Sequence, residues 1–117
     1  MMLLLSLMGS PGQAADYVVR DAQGRRIETL DEAPGGVIVR RDPNGRRIGT
    51  IEEGPGGRRV LRDPSGNRIG TVEETTGGGL VVHDPTGRRT STVDQGTGGQ
   101  RVIRDREGRR TGTVEPK

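Results

Sequence analysis

The sequence predicts an all-β protein made of five tandem β-hairpins, and three observations carry that prediction. Asp21, Asp42, Asp63, Asp84 and Asp105 stand 21 residues apart without insertion, each opening the phrase Asp-x-x-Gly-x-Arg. Strand-forming residues flank every phrase and show no helical period. Glycine pairs then punctuate the chain between one phrase and the next. Self-similarity at a fixed short period marks one unit copied in series.

The elements follow in order. Residues 1–15 differ from the rest: Met1 to Met8 is a short apolar run, and Gln13-Ala14-Ala15 resembles a cleavage site, so this segment reads as a signal peptide. The run is too short to span a bilayer, and no transmembrane segment is expected. Residues 16–117 form the array, in units of about 17–37, 38–58, 59–79, 80–100 and 101–117. Each unit opens with a short strand, such as Tyr17-Val18-Val19 or Leu80-Val81-Val82. The series Val18, Val39, Val60, Val81 and Val102 is expected to hold the fold. A type I turn follows, in which aspartate accepts from the turn backbone and glycine takes the left-handed conformation. The turn pairs are Asp21 and Gly24, Asp42 and Gly45, Asp63 and Gly66, Asp84 and Gly87, Asp105 and Gly108.

A second strand then runs through residues such as Arg47-Ile48-Gly49-Thr50-Ile51. A bulged turn would set Val19 opposite Ile27, Leu61 opposite Ile69, Val82 opposite Thr90 and Ile103 opposite Thr111, with Arg20 against Arg26 and Arg62 against Arg68; the register is open at this point. Gly35-Gly36, Gly56-Gly57, Gly77-Gly78-Gly79 and Gly98-Gly99 make looser returns to the next unit.

Two assemblies satisfy the pattern, an elongated antiparallel meander or a β-solenoid-like sheet. A meander would let Ile51 meet Val60, Val72 meet Val81 and Val93 meet Val102. It also places equivalent arginines about 9.6 Å apart, against about 4.8 Å in a solenoid. Like charges at the shorter distance cost on the order of 3.5 kcal/mol at an effective dielectric of about 20, so the meander is favoured. Either sheet is expected to leave two edges, guarded by Arg20 at one end and Arg109-Arg110 at the other. Open edges in turn imply growth into a homo-oligomer or filament.

Composition narrows the chemistry. Leucine, isoleucine, valine and phenylalanine number 24 of 117 residues, a level at which a disordered exported chain is an alternative. Nineteen basic residues face sixteen acidic ones, giving net +3, and the two signs are interleaved. The exposed face of Arg26, Arg47, Arg68, Arg89 and Arg110 is the candidate anion-binding surface, for an anionic glycan or lipopolysaccharide. Nucleic acid is not expected, because Tyr17 is the sole aromatic residue and no stacking platform exists. No catalytic residue is expected: His83 takes a slot that is arginine in the other repeats, and no cysteine is present. No cofactor is expected either, since the glycine-rich loops lack phosphate-cradle context. The turn aspartates are accounted for as turn residues, so no metal site is expected.

The phrase Asp-x-x-Gly-Arg, preceded by a strand and recurring every 21 residues, resembles the YD repeats of bacterial Rhs proteins over Tyr17 to Lys117. Asp84-Pro85-Thr86-Gly87-Arg88-Arg89-Thr90 is the closest unit, while Arg20, Arg41, Arg62, His83 and Arg104 replace the tyrosine that names that repeat. The resemblance implies spiralling β-sheet built from strand-turn-strand units. Five units are expected to be too few to close around anything. In organisation alone the chain is similar to curli-type subunits. The function these features predict is an exported, non-enzymatic structural repeat protein able to self-assemble. The alternative is a repeat module that binds anions.

Overall fold

Aspartate, two turn residues and a left-handed glycine bend the chain back in every repeat, and the computed structural model shows the same bonds five times. It describes residues 16–116, so the signal-peptide segment and Lys117 lie outside the described residues. In the first turn the Gly24 amide donates to the Asp21 carbonyl at 3.0 Å and the Asp21 amide donates to the Arg25 carbonyl at 2.8 Å. Asp21 Oδ1 accepts from the Gln23 and Arg25 amides, both at 2.9 Å. Gly45 stands at φ +87° with nothing within 4 Å of where a Cβ would lie, so its conformation alone selects glycine.

Ten strands result: β1 (Asp16–Asp21), β2 (Arg26–Glu32), β3 (Ile38–Arg41), β4 (Arg47–Glu53), β5 (Arg59–Arg62), β6 (Arg68–Glu74), β7 (Leu80–His83), β8 (Arg89–Gln95), β9 (Arg101–Asp105) and β10 (Arg110–Pro116). All pair antiparallel with their sequence neighbours, which is the predicted meander.

The sheet is not open. β1 also pairs with β10, and the ten strands close into a barrel. The expectation of two edges and of a unit number too small to close is corrected here. At the seam Val19 faces Val114 and Arg20 faces Thr113. This is the register that joins β2 to β3, where Arg40 faces Leu30 and Arg41 faces Thr29. The ends of the array therefore match as any two successive repeats do. Arg20 does not guard an edge; its Nε donates to Glu115 Oε1 across the seam at 2.6 Å.

Curvature comes from a bulge in each tight hairpin. Arg20 faces Arg26 as expected, but Val19 faces Glu28 and not Ile27. Leu61 likewise faces Gly70, Val82 faces Ser91 and Ile103 faces Gly112. The residue skipped is Ile27, Ile69, Thr90 or Thr111, and it lies exposed. A bulge bends its strand and raises local twist, and five of them in one sense roll the sheet shut. The glycine-pair connections are as short as the aspartate turns. Gly54 donates to the Arg58 carbonyl at 2.8 Å, with Gly56 and Gly57 both at positive φ, as a type I′ turn requires. These returns shift the expected pairs by one residue: Ile51 meets Leu61, Val72 meets Val82 and Val93 meets Ile103.

Strand alternation then sorts the two faces. Tyr17, Val19, Leu30, Ile38, Ile51, Val72, Leu80, Val93 and Val114 form the buried cluster inside the barrel. The Val18 series is not part of it. Val18, Val39, Val60 and Val81 lie in register beside Thr29, Thr50, Thr71 and Thr92 on the outer face. There the arginines preceding each aspartate pair with carboxylates: Arg41 with Asp31, Arg62 with Glu52 and Arg104 with Asp94.

Candidate functional site: an arginine rim and a lumen

The two ends of the barrel differ because their residues do. At the end of the glycine-pair loops, the inward positions include Arg59 and Arg101, which are 3% and 8% exposed. Arg59 Nη1 donates to the Gly36 carbonyl at 3.4 Å, and its Nη2 lies 3.5 Å from Glu53. Arg101 Nη1 donates to the Gly78 carbonyl at 3.2 Å. These long side chains occupy the inward positions at this end. Tyr17 belongs to the same layer, and burial pushes its hydroxyl pKa up, with Glu32 reinforcing and Arg101 opposing the shift.

At the tight-turn end the inward positions are Glu28, Gly49, Gly70, Ser91 and Gly112. A Cβ at Gly49 or Gly70 would come within 2.5 Å of the carbonyl oxygen of Arg62 or His83 on the next strand. Small residues at this level leave the barrel open. Below them a cavity of about 220 Å³ has walls that include Leu61, Val82 and Ile103, all partly exposed. Eight strands give an interior that side chains just fill, so ten strands leave room.

One charged pair stands on this wall. Arg40 Nε donates to Glu28 Oε2 at 2.6 Å and its Nη2 to Glu28 Oε1 at 3.3 Å. Reading the residues singly did not find it. The signal lies in repeat columns: Glu28 departs from Gly49, Gly70, Ser91 and Gly112, and Arg40 departs from Val19, Leu61, Val82 and Ile103. Each is the charged outlier of its column, and folding brings the two together.

Around the open end runs the predicted arginine series. Arg26, Arg47, Arg68, Arg89 and Arg110 each begin an even-numbered strand, and all five are exposed. None of them makes an ion pair among the described residues, in contrast to Arg20, Arg41, Arg62 and Arg104. The five Asp-x-x-Gly-x-Arg phrases hold ten arginines against six carboxylates. His83 fills the slot of that paired series in the fourth repeat, and Glu73, its expected partner, pairs instead with Arg58. His83, Arg68, Glu73 and Thr86 line a shallow polar groove on the outer face there.

No family model matches the chain, and no curated protein or solved structure matches it. The resemblance to YD repeats thus rests on the Asp-x-x-Gly-Arg phrase. Among the described residues, no group of three or more His, Asp or Glu side chains could hold a metal ion. No helix there is long and apolar enough to cross a membrane.

The turn carboxylates have an electrostatic role. Asp21 and Asp105 are held below the usual carboxylate range chiefly by the backbone N–H groups of Arg25 and Arg109, and Asp84 chiefly by the Thr86 hydroxyl. Glu115 is lowered first by Arg20 and then by Gln100. Groups depressed on folding stabilise the fold above their unfolded pKa, and that contribution is lost as pH falls through the folded value. The melting temperature should therefore be flat through neutral pH and fall as pH drops below about 4. Glu115→Gln should blunt the seam's share of that fall in a calorimetric pH series. An acid limb unchanged by this substitution would count against the role of the seam pair.

Proposed function

We propose that the protein is a non-enzymatic binding module that holds an anionic glycan on its arginine rim, with an exported setting suggested by residues 1–15. One observation carries this reading: five exposed guanidinium groups, without ion-pair partners among the described residues, recur at the same level of five successive hairpins. Equivalent residues two strands apart sit about 9.6 Å from one another. Guanidinium groups suit planar, bidentate recognition of oxyanions. Tyr17, the sole aromatic residue, is buried at the opposite end, which favours a glycan over single-stranded nucleic acid. Filament growth by strand addition has no free edge to use among the described residues. The structural role suggested by the repeats becomes that of a rigid mount for the rim.

Heparin affinity chromatography tests the proposal. Retention should weaken steeply as salt rises from about 50 to 200 mM. The triple variant Arg26→Gln, Arg47→Gln, Arg68→Gln should elute far earlier than the parent. A control with the same net charge, Thr76→Glu, Gln95→Glu, Thr97→Glu at the opposite end, should remain near the parent. Equal loss from both variants would mean that net charge, and not the rim, binds the polymer.

A further inference from the structure

We propose that the barrel lumen binds one small neutral molecule with an apolar body and a single hydroxyl, the hydroxyl seated against the Glu28–Arg40 pair. The cavity of about 220 Å³ reaches Glu28 and Ser91 at the tight-turn end, and Arg59 and Arg101 lie buried at the loop end, outside its lining. Its wall is aliphatic apart from Glu28, Arg40 and Ser91. An apolar cavity of ~150 Å³ accepts a benzene-sized guest, so this lumen suits a ring carrying one or two further carbons.

The pair is what points to a ligand, because the fold contains four controls that do without it. The positions of Glu28 and Arg40 are filled by Gly49 and Leu61, Gly70 and Val82, Ser91 and Ile103, and Gly112 and Val19 in the other repeats. Each combination closes the same strand interface with a small residue and an aliphatic one. Ion pairs withdrawn from water contribute little net stability compared with apolar residues of similar volume. The barrel therefore has no structural need of this one.

The pair's remaining bonding capacity sets the ligand chemistry. Arg40 spends Nε and Nη2 on Glu28. A guanidinium has five N–H donors, and a carboxylate has lone pairs beyond the two engaged. The Arg40 Nη1 atom lies 3.4 Å from where a Cβ on Gly49 would stand, so the glycine keeps space around that nitrogen. A hydroxyl both accepts and donates, and can take a bond from Arg40 while giving one to Glu28. A ligand carboxylate would meet the repulsion of Glu28 as closely as the attraction of Arg40. A hydrocarbon would leave both groups unserved. No rim arginine lines the lumen, so the two sites stand or fall separately.

Methyl NMR of the purified protein tests the inference, with para-cresol, toluene and hexanoate as probes. Para-cresol should shift the Leu61, Val82 and Ile103 methyls saturably, with toluene and hexanoate each at least tenfold weaker. The double variant Glu28→Gly, Arg40→Leu copies the Gly49–Leu61 combination and is expected to fold. It should bind toluene and para-cresol with equal affinity. No saturable lumen shift with any probe would overturn the site, as would shifts confined to the outer-face methyls of Val39 and Val60. A cresol preference unchanged in the double variant would overturn the role of the pair. The Arg-to-Gln rim variant should bind para-cresol as the parent does.

Discussion

Ile38→Ala is expected to destabilise the barrel by about 2–5 kcal/mol, the usual loss when a large buried aliphatic is cut to alanine. Ile38 is 3% exposed, faces Ile51 across β3 and β4, and belongs to the inner cluster. A domain of this size is stable by about 5–15 kcal/mol in total, so one substitution removes a large share. The melting temperature should fall by roughly 10 °C or more. Val39, the next residue, is the control: it sits half-buried on the outer face opposite Thr50, and Val39→Ala should cost under about 1.5 kcal/mol. Equal costs in a denaturant titration would show that the inner and outer faces have been assigned wrongly.

Gly112→Val is expected to cost about 3 kcal/mol or more, at the top of the range for overpacking. A Cβ at position 112 would overlap the carbonyl oxygen of Arg20 on the facing strand, and that atom is backbone and cannot swing aside. The substitution strikes the seam between β1 and β10, where Asp21 faces Gly112 and Arg20 faces Thr113. The seam strands should lose hydrogen-exchange protection more than β4 to β7, because local opening follows local contacts. Full protection at β10 in a stable Gly112→Val protein would refute the close approach at the seam.

The turns and the meander were legible in the sequence because their causes are local. A left-handed glycine after aspartate and two turn residues needs no knowledge of the rest of the chain. The inner face was harder to read, since valine and threonine on the outer face carry the same β-branched signature as the core. Val18 and Val19 are adjacent, both buried, and point opposite ways, and composition cannot rank them. The bulge hid in the same way, as Ile27 and Ile69 look like core residues and stand exposed. Closure depends on twist summed over ten strands, which no single repeat displays. Of the site, the exposure of the Arg26 series could be read from its column. The Glu28–Arg40 contact needed two columns compared across neighbouring repeats.

Pro116 lies opposite Tyr17, so the two ends of the array come together on the side of the glycine-pair loops, where a fifth such loop would stand. The starting point of the chain is therefore arbitrary with respect to the ring. A five-residue bridge of the kind that joins Glu32 to Ile38 would circularise it. Cutting any tight turn of that circle gives a permuted protein with the same ten strands in a different order of synthesis. The β2–β3 hairpin, which holds Glu28 and Arg40, could then be made first, last or in the middle without changing its neighbours.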